Sequence, residues 1–293
     1  MKKYSDIVGD GGSKIIEQVT EKMEYLHKQM EGIKYKVAIL SGKGGVGKST
    51  ITVLLGLHMA NIGYKVGILD TDLNGASIPT FLDIETKQAL IKSKGIVPAI
   101  GILGIKVMSL DLFVSKKENP TTWDGPSATH TWLSAMEATA VRELLSDTDW
   151  GELDFLFFDL PPMLSRMNDI SGLLPQLNGC IIVTIPSEIS HIITLKTINS
   201  IRQLNIPILG LVENMRGFYC PHCGKENNLF GDEDLQEAYE YMQVPYFGKI
   251  PFEKTLAKLS KGMLKQTVEN NEALPMSEIF SEICKKTIKA LEG

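Results

Sequence analysis

Gly42-Lys43-Gly44-Gly45-Val46-Gly47-Lys48-Ser49 is the stretch from which the fold can be read. It fits the pattern G-x-x-x-x-G-K-[S/T], a glycine-rich loop that cradles phosphate. Glycines let the backbone bend until successive N–H groups point at one anion. The loop opens a helix, whose N-terminal dipole favours the same charge. Lys48 brings a point charge to the terminal phosphates, and Ser49 a hydroxyl for Mg2+. The flanks agree: Lys36 to Leu40 reads as an apolar strand, Lys48 to about Asn61 as a helix, and Gly63 can close that helix. Gly42, Gly44, Gly45, Val46, Gly47, Lys48, Ser49 and Thr50 are the candidate nucleotide-binding residues.

Outward from the loop, further strand-like runs appear at Lys65–Leu69, Asp154–Phe158, Cys180–Ile185, Ile208–Val212 and Tyr246–Ile250. Helical patterns cover Ser187–Leu204 and Ser277–Leu291. Strands buried on both sides and separated by helices predict an α/β fold, a mostly parallel sheet with helices on both faces. Phe81 to Lys117 is broken by glycines and prolines and reads as strands and loops at one sheet edge. Before the loop, Met1 to Ser13 reads as a loose tail. Ile15, Val19, Met23, Leu26 and Met30 recur at helical spacing, an amphipathic helix expected to pack on the main domain. The expected division is residues 1–33, tail and helix, and residues 34–293, a P-loop ATPase domain.

Composition narrows the function. The chain has 293 residues, 43% hydrophobic and 22% charged, which excludes a disordered chain. A net charge of −5 argues against nucleic acid or anionic lipid as a partner through bulk charge. Four cysteines are too few for a disulfide scaffold at this length. No apolar run approaches the roughly 20 residues of a membrane span, and the N-terminus has no signal-peptide core. A cytoplasmic protein is expected.

Asp159 ends an apolar strand, where a Mg2+-holding aspartate belongs. Asp70 and Asp72 flank Thr71 at the end of another. Asn214 follows the strand Ile208–Val212, and its amide could both donate to and accept from adenine. Cys220-Pro221-His222-Cys223 is a C-x-x-C in a loop. It does not open a helix at a βαβ start, so redox catalysis is disfavoured. As a metal site it is half complete, because a closed thiolate site for zinc or an iron–sulfur cluster takes four ligands. Cys180 and Cys284 read as small core residues and His222 as solvent-facing. Two chains meeting with these loops on a two-fold axis would supply four thiolates.

GKGGVGKST at residues 42–50 resembles the deviant phosphate loop of the MinD/Mrp/ParA class of ATPases. Together with LDTDLNGASIP, WGELDFLFFDLPP, PILGLVENM, FYCPHCG, Phe230-Gly231 and Tyr246-Phe-Gly-Lys-Ile-Pro251, it makes the chain from about Lys36 onward similar to the Mrp/ApbC family of iron–sulfur-carrying P-loop ATPases. The resemblance implies that Lys43 reaches the partner's nucleotide across a homodimer and that Asp72 orients the attacking water. Asp70 is left structural or outer-shell, and Asn214 lies beside adenine. The catalytic set is then Lys43, Lys48 and Asp72. Ser49 and Asp159 hold Mg2+ beside ATP, and Cys220 with Cys223 holds a [4Fe–4S] cluster for delivery to recipient apoproteins. Thiolates suit zinc equally, so a structural zinc stays open.

The sequence also departs from that family. Met163-Leu164-Ser165-Arg166 replaces Gly-Thr-Gly-Asp after Asp-Leu-Pro-Pro. Trp123-Asp124-Gly125-Pro126 inverts a charge, and Asn74-Gly75-Ala76-Ser77 lacks the usual proline. A MinD/ParA-like spatial-organisation ATPase is the alternative. It would need the last helix, with Ile279, Ile283, Ile288 and Leu291 opposite Lys285, Lys286 and Lys289, to seek a membrane instead of docking on the sheet.

Overall fold

The computed structural model describes residues 26–27, 29–72, 77–84, 90–92, 95–113, 141, 143–161, 177–220, 222–228, 230, 236–253 and 262–293. The departures at Met163–Arg166, Trp123–Pro126 and Asn74–Ala76 lie outside them, as do Met1–Ser13 and the helical positions Ile15, Val19 and Met23.

An eight-stranded sheet runs in the order β12-β9-β8-β1-β7-β2-β6-β5. Its members are β1 (Ile33–Leu40), β2 (Val66–Asp70), β5 (Ala99–Ile100), β6 (Lys106–Ser109), β7 (Leu153–Asp159), β8 (Gly179–Thr184), β9 (Ile208–Asn214) and β12 (Tyr246–Ile250). Every pairing is parallel except β5 with β6 at the edge. The short hairpin β3 (Leu90–Lys92) and β4 (Gly95–Val97) accounts for more of the poorly periodic middle. A second hairpin, β10 (Phe218–Tyr219) with β11 (Glu226–Asn227), follows β9.

The central strands are apolar on both faces because both are covered. Phe155, Phe157 and Phe158 of β7 and Ile181, Ile182 and Val183 of β8 are fully buried. Helix α1 (Lys48–Asn61) shows why periodicity fades in a core helix. Ile51 through Met59 are buried on all sides, so no polar face exists to set a period. The segment before β1 joins the same core: Leu26 and Met30 are buried, and the Lys36 ammonium donates to the carbonyl of Ile33 at 3.0 Å.

The last helix, α6 (Ser277–Glu292), is docked; α2 (Ile78–Phe81), α3 (Glu188–Gln203), α4 (Gln236–Tyr241) and α5 (Met263–Glu269) precede it. Phe280, Ile283, Cys284 and Thr287 are buried against α1, β9 and β12. Phe280 stacks on His58 of α1 with centroids 5.1 Å apart. Lys286 donates to the carbonyl of Phe247 at 2.9 Å, so this lysine caps the edge strand β12 and does not stand in solvent. Phe280→Ala should therefore lower the unfolding free energy by about 3–5 kcal/mol, measured by denaturant titration.

Candidate functional site: a phosphate loop and a cysteine hairpin

A parallel sheet brings the carboxyl ends of its strands to one edge, where ligands of such folds bind. Here that edge gathers Leu40, Asp70, Asp159, Thr184 and Asn214. Asp70 and Asp159 are register partners on β2 and β7.

Asp159 is fully buried and is the hub. Its Oδ1 lies 2.6 Å from the Lys48 ammonium and accepts from Thr52 Oγ1 at 2.7 Å. Its Oδ2 accepts from Ser49 Oγ at 2.6 Å. Its carbonyl accepts from Thr71 Oγ1 at 2.8 Å. Thr52 and Thr71 were not singled out from the sequence. A signal existed for Thr52: it stands four residues after Lys48, on the same side of α1. Thr71 between two aspartates carried none.

Asp70 is nine-tenths buried or more and works through its carboxylate. Oδ1 accepts the backbone N–H of Asp72 at 3.1 Å, and Oδ2 those of Ser77 and Ile78 at 3.2 and 3.3 Å. It thus ties down both ends of the loop that carries Asp72. Burial, and then the negative charge of Asp159, push its pKa up to about 7.

The glycine loop is shaped by contact. Gly47 caps α1 at φ 84°, and a β-carbon there would collide with the side-chain amide of Asn214. That amide donates to the carbonyl of Val46 at 2.8 Å, so Asn214 braces the loop from behind. Gly42 lies on α3: a β-carbon would fall 2.6 Å from Thr197 Oγ1 and 2.5 Å from Ile193. Lys43, Gly44 and Gly45 are exposed, and Thr50 lies half-buried in the first turn of α1.

β9 feeds the second feature. After Asn214 the chain turns through Met215 at φ 59° and enters the β10–β11 hairpin. The base is fixed by the N–H of Arg216 on the carbonyl of Ile250 and that of Phe252 on the carbonyl of Gly217, at 2.9 and 2.8 Å. The buried Glu213 accepts from Tyr246 Oη at 2.9 Å and lies 3.8 Å from the Arg216 guanidinium. Cys220 and Cys223 occupy the hairpin's turn, half-buried and exposed, with His222 exposed. The N–H of Gly224 donates to the carbonyl of Cys220 at 2.8 Å. The backbone N–H groups of His222 and then Cys223 hold the Cys220 thiol below its ordinary pKa. Cys180 and Cys284 are buried; burial raises both thiols, Cys284 to about 12, so neither is a thiolate donor. Among the described residues no group of three His, Cys, Asp or Glu side chains could hold a metal.

A glycine loop between β1 and α1, facing a strand-end aspartate on the adjacent parallel strand, is the nucleotide site of the P-loop NTPases. Within that class the chain belongs to the ParA family described as NUBPL iron-transfer P-loop NTPases, which it matches over residues 32–288. It is 37% identical to an iron-sulfur cluster carrier protein of Methanococcus maripaludis over 91% of this chain and 89% of that one. Among solved structures it resembles a nucleotide-binding protein of Archaeoglobus fulgidus in complex with ADP, with TM-score 0.66 and 35% identity, over 80% of this chain and 89% of that one. Its fold is also that of the Aquifex aeolicus cell division protein MinD, with TM-score 0.57 and 16% identity, over 87% and 97% of the two chains.

Gly47→Ala should abolish tight nucleotide binding, read with a fluorescent ATP analogue, because strain and the clash with Asn214 act together. Asp70 predicts a pH effect. Its folded-state pKa lies above the unfolded value, so its contribution to stability is complete below the ordinary carboxylate range and is lost as pH climbs through about 7. Asp70→Asn should flatten the fall in unfolding free energy between about pH 4 and about pH 7 in urea titrations.

Proposed function

We propose that the protein is an ATP-dependent carrier of an iron–sulfur cluster, holding one [4Fe–4S] cargo between two copies of the chain and passing it to recipient apoproteins. The observation that carries this reading is the placement of the two features on one strand. β9 ends in Asn214, which braces the phosphate loop, and continues within a few residues into the hairpin that presents Cys220 and Cys223. The family membership and the carrier name of the Methanococcus relative support the cargo.

ATP would lie along residues 42–50, its phosphates on the loop's N–H groups and its base beside Asn214. The phosphates compete with Asp159 for the Lys48 ammonium. Ser49 and Asp159, a hydroxyl and a carboxylate converging within 2.6 Å, are the hard oxygen donors that suit Mg2+. Bound there, that ion would neutralise charge on the phosphates. Asp72, held by Asp70, would orient the attacking water. Lys48 and the partner's Lys43 would stabilise the charge that develops on the transferring phosphoryl group. Movement of the loop would reach the cysteine hairpin through Asn214 and β9. A cytoplasmic setting fits free thiols and the finding that no described helix is long and apolar enough to cross a membrane.

Anaerobic reconstitution tests the cargo. Wild type should retain iron and acid-labile sulfide with visible absorbance, and a Cys220→Ala/Cys223→Ala variant should retain neither. Equal retention in both ends the proposal, and zinc in place of iron assigns the cysteines to a structural clasp. Asp72→Asn should keep nucleotide affinity while slowing hydrolysis about a hundredfold or more, measured as phosphate release.

A further inference from the structure

A line of polar side chains outside the nucleotide site runs from α3 to the root of the cysteine hairpin. Tyr239 of α4 stands at its middle and is fully buried. His191 of α3 sets Nδ1 3.3 Å from the Tyr239 Oη, the rings edge to face with centroids 5.3 Å apart. Thr184, at the end of β8, is a hydrogen-bond partner of the same phenol. Its Oγ1 lies 2.8 Å from Thr194 Oγ1 of α3. Glu213 and Arg216 act on Tyr239 as well: burial, and then the negative charge of Glu213, raise the phenol's pKa, and Arg216 opposes them.

Each end of the line is tied to one of the two features of the site. On α3, Ile193 and Thr197 lie so near Gly42 that a β-carbon there would fall 2.5 and 2.6 Å from them. The phosphate loop therefore cannot shift at Gly42 without moving α3. At the other end, Arg216 begins the hairpin, its backbone N–H held by the carbonyl of Ile250. Its Nη1 stands 3.8 Å from Glu213 Oε1, outside hydrogen-bond range, and is buried with no hydrogen-bond partner among the described residues. A buried guanidinium nitrogen in that position gains from a small movement that closes the contact. The root of the hairpin thus has two arrangements within reach, contact open and contact closed.

We propose that Tyr239 is a positioning residue that passes the state of the phosphate loop from α3 to the Glu213–Arg216 contact, and so sets how firmly the cysteine hairpin holds its cargo. Nucleotide on residues 42–50 moves α3 through Gly42. His191 and Thr194 then shift against Tyr239 and Thr184, and Arg216 closes on Glu213 or leaves it. The inference rests on the cluster-carrier reading and adds a second connection, made of side chains, to the brace at Asn214.

The test uses the full chain reconstituted without oxygen and reads the rate at which a ferrous-iron chelator strips the cluster. The rate is taken with and without Mg2+ and a non-hydrolysable ATP analogue, and nucleotide affinity is measured alongside. In wild type the two rates should differ about fivefold or more. Tyr239→Phe removes one oxygen and keeps the ring; His191→Phe removes its partner on α3. Each should bring the two rates to within about twofold, with nucleotide affinity and iron content kept. The double variant should add nothing further, because both residues act in one line. A merely structural defect would raise both rates together and leave their ratio as it was. A wild-type ratio in Tyr239→Phe overturns the line and leaves the carrier standing. A wild type whose stripping rate ignores nucleotide overturns both the line and the ATP dependence of the carrier.

Discussion

A carboxylate with no access to water, Asp159, organises this molecule's working edge. Its burial at the end of β7 requires compensating partners, and α1 supplies them to the carboxylate while the segment after β2 holds the residue's backbone. Lys48, Ser49 and Thr52 of α1 meet its two carboxylate oxygens, and Thr71, just after β2, donates to its backbone carbonyl. The phosphate loop, the start of α1 and the loop carrying Asp72 are thereby fixed to one point. Asp70, its register partner on β2, extends the arrangement by gathering three backbone N–H groups. Two buried carboxylates side by side would repel if both were ionised. The raised pKa of Asp70 relieves that repulsion at the one of the two that has no cationic partner as near as Lys48 is to Asp159.

Much of this was legible in the residues. The loop motif, its flanking strand and helix, and the aspartates at strand ends follow from residue types with few chemical alternatives. The spacing places α1 at Lys48 to about Asn61 and β12 at Tyr246–Ile250, and both stand at those residues, because turn formers bound them. The parts that were not legible are long-range or inverted. No spacing in the sequence ties Asn214 to the carbonyl of Val46 or Thr71 to the carbonyl of Asp159, since these contacts form only when separate strands are laid side by side. α3 was identified from its period, but the period did not say which face turns inward. The buried face mixes the hydroxyls of Ser190, Thr194 and Thr197 with Ile198 and Ile201, so residue type alone does not mark it. Lys286 illustrates the same limit: a lysine on the polar side of α6 proves to cap β12.

The fold alone would serve either a spatial-organisation ATPase or a metal carrier, since sheet order and loop are common to both. What separates them in this chain is the use made of two elements. The apolar stripe of α6 is spent on the core, at Phe280, Ile283 and Cys284, and His58 closes over it. The hairpin after β9 has little core to build and instead holds two thiols in a tight turn whose N–H groups favour the thiolate. The proposed activity joins these facts: nucleotide at the carboxyl edge, cargo on the continuation of one of its strands, and a second chain to complete the sulfur ligands.

Native mass spectrometry of the protein reconstituted without oxygen tests that joining most directly, because it weighs chain number and cargo in one particle. The account predicts an assembly of two chains bearing a single [4Fe–4S] cluster, with apoprotein as the only other form. A cluster carried whole by one chain, or paired chains that hold zinc and never iron, would contradict it.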